Sequence, residues 1–371
     1  MVDLGYYIDV ATPQGVRIAQ MDSFLALTYA RVINDYGVMM LDLDPKTDRS
    51  LFRKDGRLGI WRQPTGGALG LEFDTIWLVR NARRIMTSKG ERRLRITAVS
   101  ALYLLTGRII AYAAGSAQAK KTATKADDMI KAFVYENLGA GATDTARRWD
   151  ALVSIAADQT LGTAVDKACA RRDLLLVCQE VASQSQQLGY PVYFDVVCPT
   201  YGTMEFRTWI NQRGADRRAS SANPLILSPE MGAIAASEYE EDYLNEATYV
   251  YAGGQGEEDL REIATAEDTA RSGSSPFGRR EIFRDARQGA TGDSLTAEAE
   301  LALYDRRPRR IYTASLTDTE QIKYGRDWKW GDKITVQDFG EAFDCDISSI
   351  QVNIANGRET VRAALRTEEL V

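Results

Sequence analysis

A few stretches hold the residue types from which a binding or catalytic site could be built. Tyr249–Gly256 reads Tyr-Val-Tyr-Ala-Gly-Gly-Gln-Gly, strand formers running into three glycines. A glycine-rich loop after a strand can cradle a phosphate. The residues that follow are Glu257, Glu258 and Asp259, where a phosphate loop needs Lys and Ser or Thr, so the stretch reads as a structural corner that starts a second β-domain. Asp42, Asp44 and Asp48 resemble calcium-loop spacing, but the turn glycine and closing glutamate are missing, and a polar turn is expected. Arg306-Arg307-Pro308-Arg309-Arg310 could contact phosphates or make an inter-subunit ion pair. Pro308 and the strand after it suggest a solvated helix-to-strand connection. Trp328 and Trp330 flank Lys329 beside Gly331-Asp332; such indoles can grip a sugar, and packing or a subunit contact is the expectation here. Glu238, Glu240, Glu241 and Asp242 form an acidic run that reads as a solvated linker or strand face.

The chain contains no histidine. That removes Ser-His-Asp and Cys-His catalysis, histidine zinc sites and a histidine proton shuttle. Carboxylates are abundant, but no pair is set apart as a glycosidase acid and nucleophile. Cys169, Cys178, Cys198 and Cys345 form no C-x-x-C spacing and read as reduced, buried thiols. No catalytic, cofactor-binding or metal-ligating residue is therefore assigned. The net charge of −6 lacks the basic excess of a free nucleic-acid binder. No apolar run approaches the roughly 18 residues of a membrane helix, and no secretion signal is expected at the start of the chain.

Chemistry of any kind would have to be positioned by β-structure. With 371 residues, several domains are expected. Tyr6, Ile8 and Val10 alternate with Tyr7, Asp9 and Ala11; strands follow over Phe24–Tyr29, Val38–Leu43 and Arg93–Ala98, and an alternating strand over Leu71–Val79. Asp55-Gly56 signals a hairpin. About six such strands make residues 1–108 a first β-barrel, closed to remove its edges. Residues 109–210 form an α+β insert. Thr124 caps a helix carrying Met129, Ile130, Phe133 and Val134 that stops at Gly139. A second helix has Leu174, Val177, Cys178, Val181, Ala182, Ser185 and Leu188 on one face, before a strand pair over Tyr190–Val197 and Thr203–Ile210. Residues 211–245 are an irregular linker with a short strand at Leu225–Leu227. Residues 246–371 form a second β-barrel with a helix inserted at about 294–305, capped by Ser294. Its last two strands are joined by Asn356-Gly357. The fold class is α+β, mostly β.

Several ordered segments resemble the ReqiPepy-type siphovirus tail-protein family. They are Met21-Asp-Ser-Phe24 with Tyr29 and Asn34-Asp-Tyr-Gly37, Ile109–Gln118, Lys125–Met129, Tyr249–Glu257, Tyr324-Gly-Arg-Asp-Trp328 with Gly331-Asp332, and Gly357–Val361. They follow the family's order over almost the whole chain.

The resemblance implies a structural protein akin to the hubs at the distal end of phage tails, with two tail-tube-like β-barrel domains flanking the small α+β insert. A homotrimer of such subunits imitates the sixfold tail tube above and a threefold tip below. Implied partners are the chain itself, the tail tube or distal tail protein, the tape measure protein and tip or fibre proteins. DNA passes transiently during ejection, through a lumen expected to be polar or acidic. The implied location is the virion, at the distal end of the tail, and any fibre or lytic parts are expected to be absent or on other chains. A tail-associated cell-wall hydrolase and a peripheral receptor- or saccharide-binding baseplate protein are the other readings.

Overall fold

The computed structural model describes residues 5–370 apart from 65–66, 87, 89, 113–119, 170, 201 and 287–292. Ala113–Gln118 of the family-like segment and the side chain of Ser294 lie outside the described residues. The chain divides into two units: residues 1–236 with 314–365, and residues 237–313 with 366–371.

In the first unit the chain begins with β1 (Tyr6–Ala11), β2 (Arg17–Met21), β3 (Ala26–Val32), β4 (Asp35–Leu43), β5 (Arg57–Arg62), β6 (Gly70–Leu71), β7 (Trp77–Met86) and β8 (Arg92–Ser100). The insert supplies β9 (Lys120–Lys125), α1 (Ala126–Asn137), β10 (Val153–Ile155), β11 (Ala164–Ala168), α2 (Leu174–Gln187), β12 (Val192–Thr200) and β13 (Thr203–Ile210). Short β14 (Asp216–Arg217) and β15 (Ile226–Leu227) precede β16 (Ile234–Asp242). Further on come β17 (Tyr249–Gly253), β18 (Ile263–Glu267), α3 (Thr269–Ser272), β19 (Glu281–Asp285) and α4 (Asp293–Asp305). The chain finishes with β20 (Arg309–Thr317), β21 (Lys333–Asp338), β22 (Glu341–Ala355) and β23 (Arg358–Leu370).

The expected closed barrels are not seen. Among the described residues one sheet runs open in the order β16-β20-β23-β22-β3-β4-β8-β7-β5-β1-β2. The reason is a long-range ladder: β22 pairs antiparallel with β3 from Ser349↔Val32 to Ala355↔Ala26. Strands from the two ends of the sequence thus share one set of hydrogen bonds.

Local patterning places most elements. Tyr6, Ile8 and Val10 of β1 are buried, as are Leu58 and Ile60 opposite them on β5. The β22–β23 connection is the expected tight hairpin, with Asn356 at φ 51° and Gly357 at φ 70°. Asp55-Gly56 turns the chain without making a hairpin of neighbours, because β4 pairs with β3 and β8 while β5 pairs with β1, β6 and β7. The expected strand over Leu71–Val79 breaks into a turn at Glu72–Asp74, where Phe73 has φ 59° and Asp74 φ 48°.

In the insert, α1 and α2 lie with the β10-β13-β12 sheet around a shared core of Phe133, Val134, Val177, Cys178, Phe194 and Phe206. Asp173 caps α2 through the Leu176 N–H at 3.0 Å. Thr124 does not cap α1; it belongs to β9, and no side chain caps that helix. Leu188 is partly exposed rather than on the buried face of α2.

In the second unit, β17 lies between antiparallel β18 and parallel β19. Leu295, Ala299 and Ala302 of α4 cluster with Val250 and Ala252 of β17. Tyr249–Gly253 is therefore the middle strand of a small separate sheet, not the first strand of a barrel. Its glycines allow a close wrap: a Cβ on Gly253 would stand 2.6 Å from the Arg261 guanidinium, and Gly256 has φ +99°. Arg261 donates to the Gly253 carbonyl at 3.0 Å and to Asp285 at 2.7 Å, which fixes the corner. Among the described residues no helix is long and apolar enough to cross a membrane.

Candidate functional site

Arginines in phase with the apolar stripes of two strands build a clasp inside the first unit. On β5, Arg62 follows Leu58 and Ile60 on the buried face; on β3, Arg31 follows Leu27 and Tyr29. An unpaired buried charge is costly, so each must find partners where the strands lead it.

Arg62 gathers four segments. Its Nε donates to the Tyr6 hydroxyl at 2.7 Å, one Nη to the Tyr324 carbonyl at 3.3 Å, and the other Nη to Glu359 at 2.5 Å. The guanidinium also lies 4.5 Å from the Tyr324 ring centroid. The Tyr6 and Tyr29 hydroxyls are 3.1 Å apart. The Tyr324 hydroxyl donates to the buried Glu72 carboxylate. Burial pushes the Glu72 carboxyl up to about 7, against the pull of Arg62 and the Tyr324 hydrogen bond, and Glu359 and Asp74 add to the rise. Next to it, Phe73 packs edge-on against Tyr29 at 5.7 Å and Trp330 at 5.6 Å. A bulky residue at positive φ is strained. Here the strain is held by aromatic contacts on Phe73 and the hydrogen bond on Glu72.

Arg31 makes the second half. It donates to Asp195 of β12, and Arg213 reaches the same carboxylate at 3.4 Å. Arg31 lies 4.9 Å from the Trp330 ring centroid, and Arg213 lies 4.0 Å from Trp209 and 5.2 Å from Trp330. Cation–π contacts of this kind contribute on the order of 0.5–2 kcal/mol each. Two Arg31 nitrogens, Nε and Nη1, have no hydrogen-bond partner among the described residues, so the indole face is a substantial part of that cation's environment. Asn34 joins the insert as well, donating to the Val192 carbonyl at 2.9 Å and accepting from the Phe194 N–H at 2.8 Å. Gly37 is needed beside it: a Cβ there would meet the Ala30 carbonyl at 2.3 Å and Arg31 Cδ at 2.7 Å.

The chemistry-bearing stretches take structural places. Asp42 is held by Arg93 at 2.8 Å and Arg95 at 2.6 Å, while Asp44 and Asp48 accept backbone N–H groups in the following turn. Trp328 is buried against the Tyr324 ring at 4.9 Å. Asp332 accepts from the Ala215 and Lys329 N–H groups, each at 2.8 Å. Arg310 faces Glu241 at 3.1 Å, and Arg307 stacks over Tyr304. All four cysteines are buried and free, and burial pushes the Cys198 thiol up to about 12.

Arg31, Arg62, Glu72, Asp195 and Arg213 were not singled out from the sequence. The signal for three of them is visible in retrospect: a charge at the next position of an apolar alternation on β3 and β5, and one inside the apolar run of β12.

Three of the family-like segments contribute to the clasp: Asn34–Gly37, Tyr324–Asp332 and, through Glu359, Gly357–Val361. Residues 7–365 match the sequence profile of the family described as Siphovirus ReqiPepy6 Gp37-like protein. The chain belongs to that family. It is a phage tail protein family, and its fold is shared with tail proteins of known structure. A tail protein from Neisseria meningitidis MC58 superposes with TM-score 0.55 at 13% identity, covering 98% of this chain and 97% of that one. The 43 kDa tail protein of prophage MuSo2 from Shewanella oneidensis gives TM-score 0.54 at 11% identity, over 97% and 96% of the two chains. A chain of the Francisella PdpA–VgrG complex gives TM-score 0.50 at 9% identity, covering 98% of this chain and 57% of that one. A search of curated protein sequences gives no match.

Proposed function

We propose that this chain is the structural hub at the distal end of a phage or phage-like tail. Three copies close the end of the tail tube, adapt its sixfold symmetry to a threefold tip and line the path of the ejected DNA. The observation that carries this reading is the joined sheet: strands from residues 6–100 and 314–365 are hydrogen-bonded through β3 and β22, and the Arg62 clasp links the same two stretches through Tyr324 and Glu359; we read the two stretches as the two tube-like halves of a hub subunit. A subunit holding two such halves rigidly side by side can occupy two quasi-equivalent positions of a ring. The role is scaffolding, without a catalytic, cofactor or metal residue. Neighbours are the tail tube or distal tail protein above, the tape measure protein within and tip or fibre proteins below. The lumen is polar or acidic, so that DNA slides instead of adhering.

Imaging of the intact particle with this chain labelled tests the reading. An on-axis, threefold density at the tail tip is expected. An off-axis or sixfold position overturns it, and release of peptidoglycan fragments by the purified chain overturns the scaffolding role.

A further inference from the structure

Two free strand edges of this chain carry opposite charge. β5 meets β7 only through Arg57↔Leu78 and Leu58↔Trp77. From Arg80 to Met86 the ladder of β7 is with β8 alone, so its outer edge has no backbone partner among the described residues. The segment 80–95 holds Arg80, Arg83, Arg84, Arg92, Arg93 and Arg95 against a single acid, Glu91, in a chain of net charge −6. Asp55 takes Arg80, and Asp42 takes Arg93 and Arg95. Arg83 and Arg84 stay exposed without an ion pair among the described residues, although Arg83 stands directly opposite Arg95 in the ladder. Like charges placed opposite each other destabilise a ladder. Met86 beside them is 65% exposed, and arginine and methionine are enriched in protein interfaces.

The other edge is β16, the end of the sheet order. It carries Glu238, Glu240, Glu241 and Asp242; Glu241 is held by Arg310, while Glu238 and Glu240 are exposed without an ion pair among the described residues. Charge on an edge ordinarily blocks pairing. That accounts for each edge against itself: β7 on β7 would oppose arginines, and β16 on β16 would oppose carboxylates. It does not account for the match between them.

We propose that the β7 edge of one copy adds onto the β16 edge of the next copy; side chains alternate faces along a strand, so one arginine of the Arg83–Arg84 pair lies on the face shared by Glu238 and Glu240 and the other lies beside the opposite face of β16. Because the two patches differ, the contact is heterologous and joins copies head to tail, into a ring where the rotation closes, rather than into a twofold dimer. The copy number of three rests on the hub reading above; the edge pairing does not.

Sedimentation of the full chain at low salt tests it. R83E/R84E and E238K/E240K should each weaken self-association about tenfold or more, and the four-residue charge swap combining them should restore it. Rising salt should weaken the wild type and the swap alike. A swap no better than either double variant overturns the proposal, as does a wild type that stays monomeric at low salt. So does loss of double-stranded DNA binding confined to R83E/R84E with association unchanged, which assigns the arginines to nucleic acid. An assembly that forms equally with every variant overturns the edge pairing but leaves the hub reading to the particle image.

Discussion

Replacing Glu72 by Gln should change how stability depends on pH. The Glu72 side chain is buried, receives the Tyr324 hydroxyl and lies in the field of Arg62, Glu359 and Asp74. Burial raises its carboxyl from 4.5 to about 7. Between those values the folded chain keeps a proton that the unfolded chain has released, so this group's stabilisation is fully present below about pH 4.5 and is lost as pH rises through 7. At about 1.4 kcal/mol per pH unit, the loss amounts to about 3 kcal/mol, a large part of a typical folding free energy. Glutamine keeps an oxygen acceptor for Tyr324 but carries no proton to lose. The chain has no histidine, which leaves fewer other side chains changing charge between pH 5 and 8. Denaturant unfolding of both proteins from pH 4.5 to 8 measures the difference. Wild type should lose about 3 kcal/mol relative to Glu72→Gln across that range. Parallel curves would refute the buried-proton argument. A wild type that gains stability with pH would show Glu72 ionised and paired with Arg62 instead.

Two further substitutions probe the clasp. Asp195→Ala leaves Arg31 and Arg213 without their shared carboxylate and should lower unfolding free energy by about 3–5 kcal/mol, whereas replacing Arg31 and Asp195 together by apolar residues should cost much less; calorimetric melting compares the two. Gly37→Ala forces a Cβ to within 2.3 Å of the Ala30 carbonyl, and a loss of about 1–3 kcal/mol is expected in the same melts.

What could be read from the sequence was local. Both insert helices, the β12–β13 pair, α4 and the Asn356-Gly357 hairpin follow from periodicity and glycine placement within a dozen residues. Alternation misled at Leu71–Val79, because it counts residues and cannot register that Phe73 takes φ 59° to turn Glu72 inward. Nor could it find the β3–β22 ladder: both strands alternate correctly, and nothing in either names a partner more than 300 residues away. The charged members of the clasp were legible as anomalies only. A charge in phase with apolar neighbours, such as Arg62 after Ile60, states that a partner exists without stating which.

The partner follows once the ladder is known. Pairing β22 with β3 fixes the register of both strands, and the Asn356-Gly357 turn returns the chain so that Glu359 reaches Arg62. The Tyr324–Asp332 segment closes over the same place, bringing Tyr324 to Glu72 and Trp330 to Arg31. Three segments that are weak as separate motifs, Asn34–Gly37, Tyr324–Asp332 and Gly357–Val361, are therefore parts of one contact set. A change in any of these three would loosen the contacts that join β3 and β5 to the Tyr324–Asp332 segment and β23.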